Sequence, residues 1–129
     1  MKNFIRLLIG IFIMLLLPLK GSAMGNNPKK TEQIKQEYTK LNLSDGVNKE
    51  EALIIAQYFI INDPSTLSSN VIISSAEVGE SGLKNVIGDC WAVGFDATSK
   101  FKRQTGLKWF TVHIDKKTGE IKTTGWGPS

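Results

Sequence analysis

The chain has 129 residues, 41% of them hydrophobic and 22% charged, with a formal net charge of +4. That length fits one domain. One histidine and one cysteine give none of the ligand spacings of a zinc site and allow no internal disulfide.

The first 23 residues read as a secretory leader. Lys2 and Arg6 precede an apolar run from Leu7 to Leu17, Pro18 follows it, and Gly21 and Ala23 are the small residues of a cleavage site after Ala23. The run is shorter than the roughly 20 residues of a spanning helix. The alternative is an uncleaved anchor, so membrane contact is expected only through this leader. No cysteine lies near the cleavage region for lipid attachment. A periplasmic or secreted protein is the expectation.

Lys2, Arg6 and Lys20 are the only charges of the leader. Without them 13 basic residues face 12 acidic ones, a net charge of +1. Nucleic-acid binding needs clustered positive charge, and only "KFKR", Lys100 to Arg103, approaches a cluster. No nucleic-acid partner is expected.

The polar residues 24–30 are expected to be disordered. From Thr31 to Leu41, Ile34, Tyr38 and Leu41 share one narrow helical face. "NLSDG" is turn chemistry, and its Asn42-Leu43-Ser44 is a glycosylation sequon with meaning only in a eukaryotic secretory pathway. A stronger helix follows over 48–62. Asn48 and Glu51 form a variant capping box, with Val47 and Ala52 at the positions of a hydrophobic staple. Ala52, Ile55, Ala56 and Phe59 recur at helical spacing, and Leu53, Ile60 and Ile61 widen the face. Asn62, Asp63 and Pro64 end it, because a residue before proline disfavours the helical region.

The period then changes to two. "NVIISSAEV", residues 70–78, is rich in β-branched residues and reads as a strand, and Lys84 to Ile87 as a short one. "CWAVGF" alternates, with Trp91, Val93 and Phe95 on one face and Cys90, Ala92 and Gly94 on the other. In "LKWFTVHID" Phe110, Val112 and Ile114 oppose Trp109, Thr111 and His113. Residues 121–126 make a last strand. "DATSKFKRQTG" between the two best strands reads as a polar loop. Helices followed by turn-linked strands imply an α+β fold, with N-terminal helices packed on one face of an antiparallel sheet of three to four strands. The expected organisation is a leader over 1–23, an N-terminal segment with a short helix over 24–47, and an α+β domain over 48–129.

"DKKTGE" lies between two strand patterns, with Gly119 free to take a positive φ and Asp115 able to bond the turn backbone. It reads as a hairpin. A calcium loop needs oxygen ligands at alternate positions, where Lys116 and Lys117 stand instead. His113 can serve as a general base and Cys90 as a nucleophile, both on one predicted face. No glycine-rich elbow, orienting carboxylate or phosphate-binding motif accompanies them, and a hydrogen-bonded sheet histidine is the plainer reading. Neither a catalytic site, a metal nor a cofactor is expected. Trp109 falls on the face away from the main helix, where a large aromatic is either an interface residue or is covered by Ile34, Tyr38 and Leu41. The candidate binding residues are Trp109 and His113 on that face, Trp126 in the tail, and Phe101, Lys102 and Arg103 in the loop, whose cations would steer an acidic partner.

The helix "KEEALIIAQYF", the strand "CWAVGF" and "FTVHIDKKTGEI" resemble the PepSY domain and related small cystatin-like folds. The layout is also similar to small immunity proteins with a fold like nuclear transport factor 2. The resemblance covers 48–62 and 89–121. It implies a cystatin-like α+β fold and a non-enzymatic inhibitor or immunity-type role, with a peptidase or a toxin as the protein partner. A thiol-dependent enzyme using Cys90 and His113, and a small-ligand-binding envelope protein, are the rival classes. The Asp96–Leu107 loop is longer than a minimal PepSY unit has, and the first helix and the "GWGPS" tail are additional.

Overall fold

The computed structural model describes residues 28–63 and 67–128. The leader over 1–23 and its cleavage point lie outside the described residues. Helix α1 spans Pro28–Thr39 and α2 Lys49–Asn62. A single turn α3, Leu67–Asn70, and a 3-10 turn, Ile73–Ser75, lead to β1, Glu77–Glu80. Then come α4, Lys84–Ile87, β2, Cys90–Asp96, α5, Ser99–Thr105, β3, Leu107–Asp115, and β4, Ile121–Pro128. The four strands form one antiparallel sheet in the order β1-β2-β3-β4. The architecture is α+β.

The capping box of α2 is present in both directions. Asn48 Oδ1 accepts from the Glu51 amide at 2.8 Å, and Glu51 Oε1 accepts from the Asn48 amide at 2.9 Å. These bonds satisfy two of the donors that a helix start leaves unpaired. Apolar residues run almost all round α2, because it is enclosed from two sides. Ala52, Ile55, Ala56 and Ile60 join Val93, Phe95, Phe110, Val112 and Ile114 of the sheet in one buried cluster. Ile34 of α1 enters the same cluster, fully buried. Tyr38 stacks on Tyr58 with centroids 3.7 Å apart, so α1 packs against α2.

Four local expectations are corrected. Pro28–Lys30 belong to α1, since proline is well suited to a first helical turn. The strand expected over 70–78 breaks up into a bridge between Val71 and Ala97, the 3-10 turn and β1. Ser75 drives the break: its hydroxyl donates to Ile72 O at 2.6 Å and accepts from the Asp96 amide at 2.8 Å. Lys84–Ile87 is a helical turn rather than a strand, with Val86 79% exposed. The loop after β2 holds α5. Thr98 caps it through the Phe101 amide, and Gly106 closes it at φ 77.

Candidate functional site

The hairpin "DKKTGE" is a structural lock. Asp115 Oδ1 accepts from the Lys117 and Thr118 amides at 2.8 and 2.9 Å. Those bonds, Lys117's first, hold its carboxyl below the usual range. Lys116 O accepts from the Val47 amide at 2.8 Å, and Val47 O accepts from Trp91 Nε1 at 2.7 Å. Lys116 Nζ bonds Glu80 at 2.6 Å and Asp89 at 3.2 Å and lies 4.3 Å from the Trp91 ring centre. The turn therefore ties the start of α2 to the sheet. Among the described residues no group of three or more histidine, cysteine or acidic side chains is placed to hold a metal.

Cys90 and His113 come to the same end of the sheet. Cys90 pairs with Asp115 and Ala92 with His113, which makes them diagonal neighbours about 7–8 Å apart at Cα. Each is engaged elsewhere. The connection after β1 turns back over this corner, leaving Cys90 1% exposed with Sγ 3.9 Å from Ile87 O. Burial, with help from Asp115, pushes the thiol pKa up, the opposite of what a nucleophile needs. Ser81 Oγ is 2.8 Å from His113 Nδ1, and burial lowers the imidazole pKa. Thiol labelling at neutral pH is thus expected to be slow in the folded protein, unchanged in His113→Ala and fast after denaturation. A rapid native rate that falls with His113→Ala would establish an activated thiol.

The candidate binding residues divide between two faces. Phe110 pairs with Trp126 on the core side, where the Trp126 ring meets Phe110 at 5.0 Å and Phe101 at 4.5 Å. Phe101 is thereby a helix residue anchored on Trp126, and Lys102 and Arg103 lie exposed on α5 rather than on a loop. Trp109 and His113 take the opposite, outer face. Trp109 is 42% exposed, and α1, which packs on α2, does not cover it.

Away from the covered corner at Cys90 and His113, the outer face is low and open. One row across the four strands reads Glu77, Gly94, Thr111, Gly125; the next toward the hairpin reads Gly79, Ala92, His113, Thr123. A Cβ built on Gly79, Gly94 or Gly125 would meet no atom within 4 Å. Beyond them Asp96 pairs with Trp109 and Trp109 with Gly127. The indole lies over Gly127, where an added Cβ would overlap Nε1, Cε2 and Cδ1 of the ring. A glycine opposite the tryptophan lets the ring come down onto β4 while the residue stays part-exposed. Asp96, at the end of β2, shares this face and falls outside the residues singled out from the sequence. Strand alternation carried one residue further would have found it.

On the helix side an open groove of about 420 Å³ runs along the end of α2, lined by Tyr38, Ile55, Tyr58, Phe59, Asn62 and Ile121. No family model matches the chain, and neither the curated proteins nor the solved structures contain a match.

Proposed function

We propose that this chain is an exported, non-enzymatic protein-binding module of PepSY-like, cystatin-like type, acting as an inhibitor or immunity-type protein on a peptidase or toxin. One observation carries the reading. Away from the corner where the connection after β1 covers Cys90 and His113, the outer sheet face is open among the described residues and presents a half-exposed tryptophan seated over Gly127. An aromatic ring presented on open surface is the kind of residue that anchors protein contacts. The buried, unactivated Cys90 supports a non-enzymatic role over the thiol-enzyme alternative. The leader-like N-terminal sequence supports export and the near-neutral remainder supports protein contact.

The test is capture of a partner from the cell envelope and secreted fractions by wild-type protein and by Trp109→Ala. The variant is expected to lose about 1 kcal/mol of stability, against roughly 3–5 kcal/mol for a fully buried aromatic, while capture falls away. Unchanged capture by a folded Trp109→Ala protein would remove the outer face from the function. The groove beside Tyr38 and Tyr58 favours a second reading, a small-ligand-binding envelope protein. Recovery of a copurifying small molecule with no protein partner would decide for it.

A further inference from the structure

The chemistry of the outer face indicates what kind of partner segment fits it, given that this face is the docking surface proposed above. Asp96 and Trp109 are directly paired on β2 and β3, so their side chains stand side by side on that face. Glu77 pairs with Gly94, two residues before Asp96, and is the diagonal neighbour of Asp96 at about 7–8 Å. Both carboxylates are exposed and neither has an ion-pair partner among the described residues. Lys100, Lys102 and Arg103 of α5 border the same end of the sheet, yet none pairs with Asp96 or Glu77. Lys122 stands toward the hairpin end of β4, 3.5 Å from Glu120. Between these groups Gly94 and Gly125 keep the floor low enough for another backbone to approach.

We propose that the outer face docks an extended, basic segment of the partner protein, with cationic side chains at alternate positions. One cation, best an arginine, stacks on the free side of the Trp109 indole and pairs with Asp96. The next cation two residues along pairs with Glu77. An extended chain advances about 6.6–6.8 Å over two residues, close to the Asp96–Glu77 diagonal. Guanidinium stacking on an indole combined with a forked bond to a carboxylate favours arginine over lysine. This reverses the acidic partner that Lys102 and Arg103 suggest from sequence: those cations are on α5, while the exposed tryptophan is paired with an acid.

The experiment uses the protein expressed with its own N-terminal segment and three short synthetic peptides, alternating threonine with arginine, lysine or glutamate. Calorimetric titration is expected to rank arginine first, lysine second and glutamate last. Affinity should fall as salt rises from about 0.05 M to about 0.5 M. Asp96→Asn and Glu77→Gln should each weaken the arginine peptide roughly two- to fivefold. Gly127→Ala, which displaces the indole without removing it, should weaken it comparably. Far-ultraviolet dichroism and thermal midpoints show that each variant is folded. The proposal is overturned by no binding of the arginine peptide at about 1 mM, by equal or better binding of the glutamate peptide, or by an Asp96→Asn, Glu77→Gln double variant that binds arginine as wild type does. Trp109-dependent capture of an envelope partner, without charge preference among the peptides, would overturn the basic segment and leave the docking face standing. Capture indifferent to Trp109 would remove the face itself.

Discussion

Phe95→Ala is expected to lower the free energy of unfolding by about 3–5 kcal/mol, the range for truncating a buried aromatic. Phe95 is 1% exposed, among the largest fully buried side chains, and is paired with Phe110 across β2 and β3. It lies on β2, an inner strand of the sheet, in one buried cluster with residues of α2 and β3, so neighbours on several elements would have to move to fill the space. Domains of this size are stable by only about 5–15 kcal/mol in total, and no disulfide limits the unfolded chain here, Cys90 being a free thiol. Urea unfolding should show an unchanged slope and a midpoint lowered in proportion. A loss below about 1 kcal/mol would mean that the site collapses around the deletion and that the core is less tightly packed than its burial indicates.

The second large effect is expected at Gly119, where backbone and packing act together. Its φ is 78°, in the left-handed region, and a Cβ there would lie 2.7 Å from Leu43 Cδ1 and 3.3 Å from Ile55 Cδ1. Gly119→Ala should cost about 1 kcal/mol for the conformation and about 1 kcal/mol more for displacing the ends of the Leu43 and Ile55 side chains that the new methyl meets. The two parts can be separated. Leu43→Ala removes the nearest obstructing atom, so the alanine at 119 should cost less in that background than in the wild type, by a coupling on the order of 1 kcal/mol. Strict additivity of the two substitutions would show that the turn does not press on Leu43, and that only the dihedral matters.

The parts of the fold that were legible in the sequence are those where one local rule acts without interference. In β2 and β3 alternation is uninterrupted, and the inward sets of Val93 with Phe95 and of Phe110, Val112 and Ile114 are buried as read. The α2 start is written in Asn48 and Glu51 alone. Helix α5 was hidden because its one apolar residue, Phe101, gives no period to count, and its Thr98 cap looks like any polar loop residue. Residues 70–78 misled through propensity: Val71, Ile72 and Ile73 favour strands, but Ser75 offers its neighbours hydroxyl bonds that bend the chain. Its position in the tail suggests a binding surface for Trp126, yet the ring packs on the core side. A register shift between Ile121 and Thr123 inserts Lys122 as an extra residue, which puts Trp126 on the same side as Ile121. No pattern in the sequence announces that insertion. For the candidate site, alternation placed Trp109 on the outward side correctly, whereas its pairing with Asp96 depends on the β2–β3 register.

The same insertion bears on how the protein avoids sticking to itself. β4 is the last strand of the sheet and exposes one edge of its backbone, the arrangement that invites strand-to-strand polymerisation. Along that edge the chain carries a lysine at the irregularity, glycines at 125 and 127, and a proline at 128. The lysine brings charge, the irregularity and the glycines disturb the flat ladder that fibrils require, and the proline has no amide proton to offer a neighbour. A border so poor as a template blunts growth from β4 into a larger aggregate.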